Sequence, residues 1–224
     1  MKTKSKILLL TLCAVALVAA SVLGTLAYLT STDEVVNTFT VGQVKITLDE
    51  AQVNSDGKPI NTDGTVVTNL ADAERVKANS YKLLPGHEYT KDPTVTVLAG
   101  SESSYIKMTV TFSKAAELDA IFDPNGAELI SIFNGYDANN WTYKGNTEDT
   151  AKNTRTYEFW YKEAVAAPEA DVALDALFDS ITVPGTITND QLKTIEGMTI
   201  TVNAYAIQAD SFENAEAAWA AFSA

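Results

Sequence analysis

Residues 24–48 read GTLAYLTSTDEVVNTFTVGQVKITL, and within them an apolar export segment gives way to β-patterned chain. Upstream, Lys2, Lys4 and Lys6 precede an uncharged run, 7–32, whose apolar part reaches Leu29. That is the charged n-region and apolar h-region of a secretion signal. Signal peptidases accept small side chains three residues and one residue before the cut. Thr25 and Ala27 supply them, so cleavage is expected between Ala27 and Tyr28. The chain is thereby divided into a signal peptide, 1–27, and a single mature domain, 28–224. Retention as an anchor is the alternative, because so long an apolar run can span a bilayer. An uncleaved signal would then be the only expected membrane contact. Cys13 follows Leu12 where lipoprotein processing wants a small residue, so lipidation is not expected.

Downstream, apolar and polar residues alternate, with Phe39 and Val41 on one parity and Val44, Ile46 and Leu48 on the other. The parity flips at Gly42, and a glycine inside a strand pattern marks a bulge or bend. Two short strands are expected, 35–41 and 44–52, kinked at Gly42. The first begins only a few residues after the expected cut, which leaves it near a free chain end.

The signal ending in GTLA, the short polar join and NTFTVGQVKITL resemble the TasA/camelysin family of Gram-positive bacteria, secreted proteins cleaved by a dedicated, ER-type signal peptidase. LLPGHEYTKDPTVTV, NTRTYEFWYKE, ITVPGTIT and ITVNAYAIQA are similar to the body of clostridial members, so the resemblance covers most of the chain. It implies a jelly-roll arrangement. It further implies a role in the extracellular biofilm matrix, with related matrix proteins as partners.

Of the 224 residues, 16 are Lys or Arg and 29 are Asp or Glu, a formal net charge of −13. Loss of the three signal lysines makes the mature chain more acidic still. Such a surface repels nucleic acid and anionic membranes, so no nucleic-acid partner is expected. If copies self-associate, neutralising carboxylates by acid or cations should promote it. The only cysteine, Cys13, lies in the signal, so the mature chain can form no disulfide.

Further along, NSDGKPINTDG (54–64) carries two Asp-Gly turn signals and lacks the alternating acids and final Glu of a calcium loop. The polar stretch 69–82 reads as a weakly helical surface insertion. Leu84-Pro85-Gly86 is a turn and not a wall-sorting signal, since no LPxTG and no following hydrophobic tail are present. A strand is expected over 89–98. Over 105–112, Ile106, Met108, Val110 and Phe112 face opposite Lys107, Thr109 and Thr111, the pattern of a half-buried strand. Ser113 is the expected N-cap of a helix to Phe122. Strands are expected over 154–161, where Tyr157, Phe159 and Tyr161 oppose Glu158 and Trp160, and over 180–183. Asn189 is the expected cap of a short helix, 190–195, and a final strand is expected over 198–208. Phe212, Ala215, Trp219 and Phe222 form one stripe of a C-terminal helix that docks on the sheet. Sugar binding by the aromatic strand is weighed against ordinary packing, which the composition favours. These elements define an all-β class, an antiparallel β-sandwich with short helical insertions and a C-terminal helix.

The family name attaches a metallopeptidase activity to some members, so chemistry must be weighed. A common zinc peptidase needs two histidines one helical turn apart with a glutamate beside the first. His87-Glu88-Tyr89-Thr90-Lys91 has Lys91 in the second position, and His87 is the only histidine. No GxSxG elbow is present, the mature chain lacks a cysteine nucleophile, and nothing singles out a carboxylate pair. No enzyme, catalytic residue, metal or cofactor is therefore expected. The expected function is that of a secreted fibre subunit, donating the strand that carries Val35, Phe39 and Val41 to the open sheet edge of another copy, with Gly42 as hinge. A non-closing contact of that kind propagates into a filament. The alternatives are a camelysin-like cell-surface metalloendopeptidase, and a monomeric adhesin or fibre accessory protein.

Overall fold

A computed structural model of the chain describes residues 12–14, 42–122 and 132–222. The chain divides into two compact units, Met1–Val41 and Gly42–Ala224. Of the first, only Leu12, Cys13 and Ala14 are described, and they are helical and exposed. Thr25, Ala27, Tyr28, Val35, Phe39 and Val41 lie outside the described residues.

In the second unit the strands are β1 (Ile46–Ala51), β2 (Arg75–Val76), β3 (Glu88–Thr90), β4 (Thr94–Val97), β5 (Ser101–Ser113), β6 (Phe133–Asn134), β7 (Trp141–Asp149), β8 (Thr154–Tyr161), β9 (Val165–Ala167), β10 (Val172–Ala173), β11 (Ser180–Thr182) and β12 (Ile200–Gln208). The helices are α1 (Ala115–Phe122), α2 (Asn189–Thr194) and α3 (Ala215–Phe222). All described strand pairs are antiparallel. One sheet has the order β10-β4-β1-β2, a second β12-β5-β8-β7 with β9 added to β5, and a small third β3-β11-β6. The chain crosses repeatedly between the sheets, as from β4 to β5 and from β9 to β10. The architecture is the expected all-β antiparallel sandwich.

β5 organises it. Ile106, Met108, Val110 and Phe112 are almost fully excluded from solvent, as the alternation predicts. Tyr157 and Phe159 of β8 bury beside them, and Phe133 sits among the rings, 4.5 Å from Phe178, 5.7 Å from Phe112 and 5.7 Å from Tyr157 between centroids. Burying such aromatics supplies most of the driving force in a chain without disulfides. The opposite face of the sheet carries a row of threonines. Thr201, Thr111, Thr156 and Thr147 align across four strands, with the Thr111 and Thr156 hydroxyls 2.8 Å apart.

Several expectations are corrected. The strand expected over 89–98 is broken at Lys91-Asp92-Pro93, so β3 pairs with β11 while β4 pairs with β1 and β10. Proline lacks the N–H that a continuous ladder needs, and Asp92 instead caps a neighbouring backbone group. Ser113 remains in β5, its hydroxyl accepting from Thr199 N–H at 2.8 Å. Helix α1 is capped from outside by Asn153, whose backbone and side-chain oxygens accept from the N–H groups of Ala115 and Ala116. For α2 the cap is Thr188, in a capping box with Gln191, and not Asn189. Docking of α3 relies on Ala218 and Trp219, whereas Phe222 is 48% exposed. Its anchor is Lys107 of β5, whose ammonium lies 4.6 Å from the Trp219 ring and 5.4 Å from that of Phe222.

The 54–64 loop forms two tight turns, closed by Gly57 N–H to Asn54 O and Gly64 N–H to Asn61 O. Gly57 has φ +75°, and a Cβ there would come within 2.8 Å of the Tyr89 backbone. Gly57→Ala should therefore cost about 1–3 kcal/mol, read as a lower urea midpoint with unchanged slope. Gly64→Ala, at a similar φ but in open space, should cost less.

Candidate functional site

Edges decide where a sheet can accept another strand, and most edges in this fold are blunted. β2, β6 and β10 are two residues long and β3 is three. β7 is long but carries Lys144, Glu148 and Asp149, and its register shifts between Tyr143 and Gly145. Short edges, charges and bulges are the usual protections against edge pairing. β12 has none of them. Its nine residues, ITVNAYAIQ, contain neither charge nor proline and keep continuous register with β5. No described strand pairs with its other side.

The first residues of β12, Ile200 to Val202, border a groove of about 870 Å³. Its second wall is β1, where β2 covers only Glu50 and Ala51 and leaves Ile46–Asp49 paired on one side alone. Residues 76–83 and the connection from α2 to β12 close its ends. Leu48, Leu83, Leu192, Met198, Ile200 and Val202 pack against the core yet stay partly exposed in the groove. Lys77, Lys82, Lys91 and Lys193 also line it, opposed by Asp49, Glu50 and Glu196. An apolar floor flanked by two strand edges that no described strand pairs suits an extended, apolar peptide.

Gly42 sits at the start of the second unit, where an added Cβ would come 2.9 Å from Glu102 Cγ. Beyond it, Gln43 O accepts from Glu102 N–H at 3.0 Å and Lys45 O from Leu98 N–H at 2.9 Å. These bonds lead the chain into β1, which begins two residues later than the expected strand.

Beneath one wall of the groove is a buried polar network that sequence patterning did not reveal. Lys91 Nζ lies 2.5 Å from Glu50 Oε2, and both side chains are more than nine-tenths buried. Asn79 Nδ2 donates to Glu50 Oε1 at 2.9 Å. Asp92 accepts from Ala51 N–H at 2.7 Å and pairs with Arg75 at 2.5 Å, while Arg75 also reaches Asp49 at 2.8 Å. Burial lowers the Arg75 pKa, but the hydrogen bonds to Asp92 and Asp49 outweigh it and the net shift is upward. The Tyr81 hydroxyl is pushed well above its ordinary value by burial, then by the Glu50 charge. The stretch 69–82, expected as a surface insertion, thus contributes the half-buried Asn79 and Tyr81 to this network, with Arg75 reaching it from the surface.

His87 is exposed, its ring 6.4 Å from that of Tyr89, and it precedes β3 instead of lying on a helix. Among the described residues no group of three or more His, Cys, Asp or Glu side chains is placed to hold a metal ion. No described helix is long and apolar enough to cross a membrane.

The fold and groove together define a class: an antiparallel β-sandwich with one long unprotected strand edge on an apolar cleft. Compared with protein-family models, curated proteins and solved structures, the chain matches none.

Proposed function

We propose that this chain is a secreted structural subunit of TasA/camelysin type, which builds extracellular matrix fibres by lending residues 28–41 to the groove of another copy. The observation that carries the reading is the uncharged, unbulged β12 edge facing the free edge of β1. A strand added along β12 would satisfy the N–H and C=O groups of its outer side through main-chain hydrogen bonds. Val35, Phe39 and Val41 are its apolar anchors, and Gly42 is the hinge between lent strand and body. Asp33 and Glu34 are the only charged residues in 28–41, and the exposed Lys77, Lys82 and Lys193 line the groove. Export through a dedicated signal peptidase frees the strand, and related matrix proteins are candidate additional partners.

Negative-stain microscopy and light scattering test this. Protein beginning at Tyr28 should form filaments, and protein beginning at Gly42 should remain monomeric. Adding a 28–41 peptide to the shorter protein should raise its unfolding temperature, by about 2.7 kcal/mol of stabilisation at one hundred times Kd. Filament growth should increase as pH falls toward about 4.5, because repulsion among 29 acidic residues per copy outweighs the two donor carboxylates. Monomers from both proteins under all conditions would refute the reading.

A further inference from the structure

The Lys91–Glu50–Asn79 cluster gathers an amine and a primary amide on one carboxylate. One buried carboxylate holds an amine on one oxygen and a primary amide on the other, at 2.5 Å and 2.9 Å. The orientation of the amide is determined, since Asn79 Nδ2 also donates to Ala51 O at 2.8 Å while Oδ1 accepts from Val53 N–H at 2.9 Å. The Val53 N–H therefore points at the atom that would gain negative charge if Asn79 Cγ were attacked. Tyr81 lies beside the cluster, and the groove gives a small leaving group a path to solvent.

We infer that Lys91 and Asn79 join in an intramolecular amide, with Glu50 as the catalytic acid–base group. The proton of the Lys91 ammonium passes to Glu50 along their hydrogen bond, which discharges both buried groups. The Nζ lone pair attacks Asn79 Cγ, and the tetrahedral oxygen is held by Val53 N–H. Glu50 delivers a proton to Nδ2, the Cγ–Nδ2 bond breaks, and ammonia departs. The second Nζ proton returns through Glu50, so that the products are a secondary amide, an ammonium ion and an ionised Glu50. No oxidant or cofactor is required. Fixed placement of amine, amide and proton carrier substitutes for the high concentrations that this condensation otherwise needs. The bond would staple the strip around Asn79 to the β3–β4 connection and stiffen one wall of the groove. In a mature chain without cysteine it would be the covalent brace.

Tryptic mapping of the full chain with intact-mass measurement tests this independently of assembly. The expected result is a branched product in which peptide 78–82 is joined to peptide 83–107, uncut at Lys91 and lighter by one ammonia. Glu50→Gln should slow its formation by about a hundredfold or more, and Asn79→Ala should abolish it while circular dichroism still reports a folded β protein. A cyclised Asn79 also loses ammonia, but it leaves peptides 78–82 and 83–91 unlinked. Linear peptides 78–82 and 83–91, cut at Lys91 and with no loss of ammonia, in the unaltered chain would overturn the inference. A cross-link formed equally fast in Glu50→Gln would overturn the role given to Glu50.

Discussion

Val202→Lys is expected to abolish filament growth while leaving a folded, monomeric protein. Val202 is on the groove side of β12, partly exposed and packed against the core. In the isolated subunit a lysine there can lift its ammonium into the open groove, so the cost to folding is modest. A strand entering the groove would cover that charge. Burying an unpaired ammonium costs several kcal/mol, so affinity for the lent strand should fall by at least about a hundredfold. Inward-pointing charges are one of the means by which natural edge strands avoid pairing. Thr147→Lys, on the already charged and bulged β7 edge, is the matched control and should assemble normally. Sedimentation velocity, with electron microscopy of both variants, checks the outcome. Equal assembly by the two would place the contact elsewhere.

Asp92→Ala is expected to be the most damaging single change to the fold outside the aromatic core. The Asp92 side chain is 4% exposed, and its two oxygens serve Ala51 N–H and Arg75. Removing it strands a buried backbone donor and leaves a partly buried guanidinium with Asp49 as its one carboxylate partner among the described residues. Stranding the buried donor costs about 1–3 kcal/mol and losing the half-exposed ion pair adds about 1 kcal/mol. For a domain of this size that corresponds to a fall of about 10 °C in unfolding temperature. Asp92→Asn keeps an acceptor for Ala51 N–H and should lose about half as much. Thermal unfolding of the two variants separates loss of the acceptor from loss of the charge.

Much of the architecture was legible from local patterns. The 106–112 alternation, the aromatic alternation of 157–161 and the Pro/Gly turns each specify a face or a reversal without reference to distant chain. The patterns misled where one residue serves two elements. Asp92 interrupts what reads as a continuous strand because its side chain is needed by Ala51, 41 positions away in sequence. Asn153 caps α1 although Ser113 is the nearer candidate, because the hairpin between β7 and β8 brings it to the helix end. Arg75 and Asn79 lie in a polar stretch, and only the folded chain supplies the carboxylates that they bind.

The groove divides in the same way. An uncharged final strand is visible in ITVNAYAIQ, but whether that strand is central or at an edge is invisible, since both read as alternating apolar residues. The sequence by itself determined the apolar run behind three N-terminal lysines, the excess of acidic residues, the confinement of cysteine to position 13 and which side chains of each strand face inward. These follow from composition and from periodicity, which are local. The tertiary structure alone decided strand order, the free edges that line the groove and the meeting of Lys91, Glu50 and Asn79, because each depends on contacts between segments far apart in the chain.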